Sequence, residues 1–421
     1  MVWGDGNPDD RPKVRAMLER LEAWLDGAAD GELGAPDDYK EKGWLARCLV
    51  LYLRDHLANY YNWYVDETMN ANVQQEDGKT WIEGLERFPS WMTQPGGYVA
   101  CSRYLGLEHS PAWLYGASGF AFALNVHSAL CPSGPTAWQD HRCNGLAGNA
   151  GLDIEQLLAL SGDDEVAAKR EAHFQRAKEA IDAGLPIIGW EMKIPDYYVV
   201  YGYDNEGNYL FLDFDDSIGR IHHSKLGDTG IGAHYLLIVR PGEPAEDETT
   251  VREALEFALE VAAGQYGHGG EYATGVAGYD QWISALEEPD AMLEDEVAGH
   301  GFAYNAACWA ECRRHAAEFL EEARRRLDRD DLEDDLAEAA EHYGTVATRL
   351  TEVSELFPMN PAEGEAMGKR LHDASRRETA LEALRAARTA EAAGLRALSR
   401  IALALGADVP EPFQQDAGGV T

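Results

Sequence analysis

Seventy-four acidic residues against 36 basic ones leave this chain with a formal net charge of -38. Self-repulsion on that scale works against any compact state in dilute buffer. In molar salt the Debye length shrinks to about 3 Å and the repulsion is screened. A hydrated acidic surface also resists salting out. The acid is spread along the whole chain rather than gathered in one tract, which points to a surface adapted throughout to high salt rather than to a single acidic docking face. A folded state remains within reach because 45% of the 421 residues are apolar and 10% aromatic. That is enough for a substantial core and more than one domain.

The same charge excludes classes of partner. Phosphate recognition needs Lys and Arg clustered on one face. The dense basic runs, Arg324 to Arg326 and Arg376 to Arg388, are interleaved with Glu on helical patterns and read as solvated faces. No nucleic-acid partner is expected. No membrane partner is expected either, since the most apolar stretch, Trp44 to Val65, is interrupted by Arg47, Arg54, Asp55 and His56. The opening MVWGDGNPDDRPK has no signal-peptide pattern, and the 6 cysteines are sparse with no CxxC. These features lead to the expectation of a cytoplasmic protein with reduced thiols.

Pattern divides the chain into an N-terminal helical region (1–88), an α+β region (89–242), a C-terminal antiparallel helical bundle (243–408) and a flexible tail (409–421). In the first region a helix follows Asp9, with apolar residues from Val14 to Leu25 at helical spacing. A longer one begins near Tyr39, and its broad apolar face predicts burial on more than one side. In the second region helices are predicted over Gln94 to Leu105 and Asp163 to Ala183. Strands are predicted over Pro186 to Trp190, Tyr197 to Tyr203, Tyr209 to Phe214 and His234 to Val239. The DNEG between two of them signals a hairpin, and hence an antiparallel sheet. In the third, Phe302 to Leu327, Asp331 to Phe357 and Met367 to Leu405 carry repeated apolar stripes with short joints.

The stretch AIDAGLPIIGWEMKIPDYYVVYGYDNEGNYLFLDF resembles the second half of a papain-like cysteine peptidase domain, of the type found in bacteriocin-processing peptidases and in proteins similar to butirosin biosynthesis protein H. The helix ending at Gly184, the Tyr201-Gly202-Tyr203-Asp204 strand end and the terminal Asp213 match that pattern. GGYVACSRYLGLEHSPAWLYGASGFAF is similar to the first-half helix, its "yLG" turn at Gly106 and its "GxSGxxF" segment. Over about 150 residues, the resemblance implies a papain-like α+β domain with Asp213 as the orienting acid. It also implies loss of the usual dyad. The zone where the family carries its cysteine, Met92 to Gly97, has none, and Tyr197 or Tyr198 stands at the histidine position. A thiol nucleophile needs a thiolate and a nearby base, so conventional peptidase chemistry is not expected. The butirosin protein itself is an acyltransferase, and so the fold hosts other chemistry.

Other constellations have two readings each. Cys131 is either a displaced nucleophile served by His127 or His141, or a small apolar filler in a Gly/Pro loop. His127, Cys131, His141 and Cys143 have zinc-ligand chemistry but match no standard spacing. No metal or other cofactor is therefore expected. Ser118, in Gly116-Ala117-Ser118-Gly119, misses the nucleophile-elbow spacing. Asp213, Asp215 and Asp216 offer hard ligands, against a solvated turn in an acidic chain. Cys308 and Cys312 read as core. Trp113, Tyr115, Phe120, Phe122, Trp138, Trp190, Tyr197 and Tyr198 either line a small-molecule cleft or form an aromatic core. Tyr197, Asp213 and Cys131 are thus the candidate catalytic residues, and Trp113, Tyr115, Ser118, Phe120, Trp190 and Tyr198 the candidate ligand-binding ones. The resulting expectation is an enzyme of acyl or amide transfer on a small metabolite. The alternative is an inactive binding or scaffold protein, its bundle serving as a homo-oligomer or partner surface.

Overall fold

The computed structural model describes residues 72–137, 141–228, 231–266, 270–288 and 295–414. The helices expected after Asp9 and Tyr39 lie outside these. The protein is α+β, built on an eight-stranded antiparallel sheet followed by a helical C-terminal region.

The sheet begins within the segment expected to be helical. Strands β1 (Val73–Glu76) and β2 (Lys79–Ile82) form a hairpin across Asp77-Gly78. Both turn residues have positive φ (47° and 75°), the left-handed turn that an Asp-Gly pair adopts readily. Strand β3 (Asn125–His127) pairs separately with β10 (Tyr272–Thr274). The main sheet continues with β4 (Leu152–Leu160), β5 (Ile187–Trp190), β6 (Tyr197–Asp204), β7 (Asn208–Leu212), β8 (Ile218–His222) and β9 (Ala233–Pro241). Its order is β4-β9-β5-β6, with β7 and β8 on the far edge of β6. Strand β2 takes up β6 where β5 ends, pairing with Gly202 to Asp204. The DNEG hairpin forms as expected, and the Asp204 carboxylate accepts hydrogen bonds from the backbone N–H of Glu206 and Asn208, each at 3.0 Å. Strands β4 and β8 carry no clean alternation and were not expected.

Helices cover both faces. On one side α4 (Val166–Asp182) lays Phe174, Ala177 and Ile181 against the sheet in a core with Tyr198, Val200 and Phe211. On the other lie α1 (Thr93–Tyr104), α2 (Pro111–Ala117) and the short α3 (His141–Leu146). Their core runs without a break into α5 (Asp247–Ala262), α6 (Gly275–Glu287), α7 (Asp295–Leu327), α8 (Glu333–Leu356) and α10 (Ala374–Ala404). Arg400 of α10 pairs with Asp335 at the start of α8, and Arg376 donates to Leu356 O at its end, so the two run antiparallel. The last predicted helix is interrupted. A short α9 (Glu365–Lys369) and a 3-10 turn precede Asp373, whose side chain caps α10. Residues 411–414, within the expected loose tail, form one helical turn, α11. Gly116 has to be glycine, because a Cβ there would sit 2.1 Å from the Phe319 ring of α7. Among the described residues no helix is long and apolar enough to cross a membrane.

One buried group makes the α4 side sensitive to acid. His234 is fully buried on β9, and neither ring nitrogen finds a partner among the described protein atoms. Burial, then the charges of His173, Arg170 and His223, push its pKa down to about 3. The ring of His173 lies 5.2 Å away and that of Tyr209 6.1 Å away. Because the folded value lies below the unfolded one, this contribution is complete above about pH 6.5 and is lost as pH falls toward 3. His234→Leu is expected to flatten the stability–pH curve, retaining roughly 2 kcal/mol more than the parent near pH 5, relative to near pH 7.5. Urea unfolding at the two pH values in fixed salt measures this, and parallel curves would refute it.

Candidate functional site

The site forms at the N-terminus of α1, whose capping is unusual. Met92 occupies the cap position with no side-chain cap of its own. A residue from the C-terminal bundle instead holds the turn that leads into the helix. The buried Glu311 carboxylate of α7 accepts from the backbone N–H of Trp91 (3.0 and 3.1 Å) and Met92 (3.0 Å), and from the Tyr115 hydroxyl (2.7 Å). Pro95 has no N–H to satisfy. The backbone N–H groups of Thr93 and Gln94 find no acceptor among the described residues. Free donors at a helix start favour negative charge placed there.

The Thr93 side chain is half-buried at this turn. Its hydroxyl donates to the Asp196 carboxylate and accepts from the Tyr197 N–H at 3.0 Å. Asp196 sits immediately before β6 on a loop that closes on itself. Glu191 N–H donates to Asp196 O at 2.8 Å, and Glu191 is left-handed at φ 58°. The Tyr304 hydroxyl of α7 reaches both Asp196 oxygens at 3.3 Å. Burial raises the Asp196 pKa from the ordinary carboxylate value to about 6, although Thr93, Tyr304 and the Tyr197 N–H pull the other way. A carboxylate so tuned takes up and releases a proton near neutrality, as a general base must. Tyr304 is pushed well upward by burial and by neighbouring acids, and so stays a neutral donor. Cys308, one turn on, is raised for the same reasons; its thiol donates to Trp91 O at 3.5 Å and is no thiolate.

A depression opens over this pair, lined by Met92, Thr93, Gln94, Phe120, Pro135, Thr136, Asp196, Tyr197 and Tyr304, with about 260 Å³ of unfilled space counted out to bulk solvent. No lining residue among those described is a cation. Beneath it a polar chain links α1 to the sheet. Gln94 donates to Asn144 at 3.2 Å, Asn144 to Tyr235 at 2.9 Å, and Tyr235 to Gln156 at 2.7 Å.

The residues singled out from sequence scatter around this centre. Tyr197 and Phe120 line it, Trp190 backs Tyr197 with ring centroids 4.9 Å apart, and Tyr115 holds Glu311 from below. Tyr198 points to the opposite face of β6, where it packs on Phe211 and Phe214. Asp213 accepts from Lys193 Nζ at 2.5 Å and Phe214 N–H at 2.8 Å, so it ties down the 191–196 loop and meets a lysine rather than a phenol. Trp113 is core, with Arg326 3.8 Å above its ring. Ser118 donates back to Leu114 O at 2.6 Å, and Phe122 packs on Phe319 and Tyr343. Cys131 lies half-buried on its loop, while His127 is engaged by Ala129 N–H and Glu271; no hydrogen bond joins the two. Cys143 is buried in the core, and the side chains of His141 and Trp138 lie outside the described residues. Among the described residues no group of His, Cys, Asp and Glu is placed to hold a metal ion.

Sequence reasoning missed Thr93, Asp196, Tyr304 and Glu311. Thr93 lay in the zone searched for a cysteine, and Asp196 one residue before the position searched for a base. Glu311, between Trp309 and Cys312 on an otherwise apolar stripe, was the available signal, since a carboxylate is rarely buried without a partner. No protein-family model matches this chain, and no curated protein matches it.

Proposed function

We propose that this protein binds a small metabolite and acts on its acyl or amide bond, with Thr93 as nucleophile and Asp196 as base. The observation that carries the reading is the hydroxyl–carboxylate hydrogen bond at a helix N-terminus, its carboxylate raised to about 6. The resemblance to papain-like proteins supports it, because the start of the first helix and the start of this strand are where that family carries its cysteine and histidine. Tyr197 was expected at the second place; the group with base chemistry is Asp196. The Thr93 oxygen attacks the carbonyl carbon as its proton passes to Asp196. The Thr93 and Gln94 N–H groups receive the oxyanion. The C–N or C–O bond breaks, and the leaving group departs with the proton. Water, deprotonated by Asp196, then releases the acid and restores Thr93; an amine or alcohol in place of water makes the reaction a transfer.

The scaffold reading has less support, since no large apolar side chain of α8 or α10 is exposed among the described residues. Incubation with p-nitrophenyl acetate in molar KCl, followed by intact and peptide mass analysis, tests the enzyme reading. An acetyl adduct on Thr93 is expected. Thr93→Ala is expected to lower p-nitrophenol release by roughly 10²- to 10⁴-fold, with Thr93→Ser retaining most of it. A Thr93→Ala protein as active as the parent would sink the mechanism.

A further inference from the structure

A second, shallow depression lies on the other side of Thr93 and Tyr197, with about 250 Å³ of unfilled space counted out to bulk solvent, and shares both residues with the first. Its remaining lining includes Arg87, Phe88, Ser90 and Phe214. Among the described residues Arg87 is the only cation lining either depression. Its Nη2 donates to Phe214 O at 3.0 Å and to Asp216 Oδ1 at 3.3 Å. Its Nε–H is buried and has no acceptor among the described residues. Leaving a buried charged donor unmade is costly, and an acceptor arriving there removes the cost. Asp216 is 81% exposed, against 15% for Arg87, so a ligand anion can displace it without unfolding anything.

We infer that the Arg87 pocket receives a carboxylate carried by the substrate, on the amine side of the bond that Thr93 attacks. This rests on the proposed role of Thr93 and names the substrate class: a small N-acyl amino acid or a close analogue. The orientation follows from charge. The first depression holds Asp196 and, among the described residues, no cation, and its Thr93 and Gln94 N–H groups are reserved for the oxyanion, so it takes the neutral acyl group against Phe120 and Pro135. The second offers a planar guanidinium, whose fork matches a carboxylate. A phosphate dianion matches it less well, because Asp213, Asp215 and Asp216 crowd the same turn and repulsion grows with ligand charge. Attack by Thr93 then expels the amino acid as its amine, with the acyl group left on the threonine oxygen.

Binding is measured by calorimetry on the Thr93→Ala protein, which cannot turn over, with N-acetylglycine and its neutral twin N-acetylglycinamide. N-acetylglycine is expected to bind at least 10-fold more tightly, by the strength of a charge-assisted pair of about this size. Arg87→Met should weaken it by roughly 10- to 100-fold and leave the amide unchanged. Arg87→Lys, a milder change that also guards against misfolding, should fall between. Asp216→Asn, which removes the internal competitor, should tighten N-acetylglycine several-fold. Equal affinity for the two ligands, no binding of either, indifference to Arg87→Met, or displacement by inorganic phosphate at lower concentration than by N-acetylglycine would each overturn the inference. If this pattern holds while Thr93 never acylates, the catalytic reading fails and the carboxylate subsite stands. The reverse result removes only the subsite.

Discussion

Asp196→Asn is expected to give a protein that is more stable at neutral pH and chemically silent. The folded pKa of about 6 lies above the unfolded value near 3.8, so the fold prefers this carboxyl protonated. The preference favours the folded state fully below about pH 4 and is lost as pH rises through 6; above that the ionised group is a net burden of roughly 2–3 kcal/mol. An amide carries no charge to desolvate and keeps an oxygen for Thr93 and Tyr304. At about pH 7.5 the variant should therefore unfold some 1–3 kcal/mol later than the parent, and lose that advantage near pH 4. It has no base, so acyl transfer to Thr93 should fall by about 10²-fold or more. Paired denaturant curves and p-nitrophenol release read both effects on one sample. A variant less stable than the parent at neutral pH would show that Asp196 is an ordinary structural carboxylate. A stable but fully active one would remove it from the chemistry.

The second large effect lies in the bundle. Arg313 of α7 and Glu391 of α10 form a fully buried bidentate pair, with nitrogen–oxygen distances of 2.7 and 2.9 Å. The remaining Arg313 nitrogen donates to the carbonyls of Ala121 (3.0 Å) and Ala123 (2.7 Å), and Tyr279 donates to Glu391 at 3.0 Å. The pair therefore joins two bundle helices to the segment that presents Phe120 to the site. Arg313→Met leaves an unpaired buried carboxylate and is expected to destabilise by about 3–5 kcal/mol. Glu391→Leu leaves an unpaired guanidinium, with a loss of similar size. The double variant should recover most of the loss, because a buried ion pair contributes little beyond an apolar pair of the same volume. Urea unfolding at fixed molar KCl checks all of these. A single variant costing under about 1 kcal/mol would mean that water reaches the pair.

Legibility differed by element. Helices α7, α8 and α10 were visible as apolar stripes at helical spacing, and β6 and β7 through their hairpin turn, because local period reports which face is buried. The β1-β2 hairpin was missed although Asp77-Gly78 is a hairpin turn, since its four-residue strands are too short for alternation to show. Strand β4 was missed because it lies at the sheet edge. Leu158 and Leu160 are exposed there, on the same face as the exposed Gln156 that accepts from Tyr235, so apolar residues stand on the solvent side and the pattern is scrambled. The aromatic residues illustrate the limit at the site. Tyr197 and Tyr198 are neighbours of one type, yet successive strand residues face opposite sides, so one lines the cleft and the other the α4 core.

What the sequence determined by itself was the surface and the class. A charge of -38 spread over the chain sets an acidic surface, and local periodicity sets helices against antiparallel strands. Only the tertiary structure decided the site. Thr93, Asp196 and Tyr304 are separated by about a hundred residues at each step, and Glu311 reaches back from the bundle to hold the Trp91–Met92 turn before α1. No local pattern encodes such meetings. A carboxylate's pKa depends on what excludes water around it, and for Asp196 that exclusion comes from a helix that the chain does not supply until residue 295.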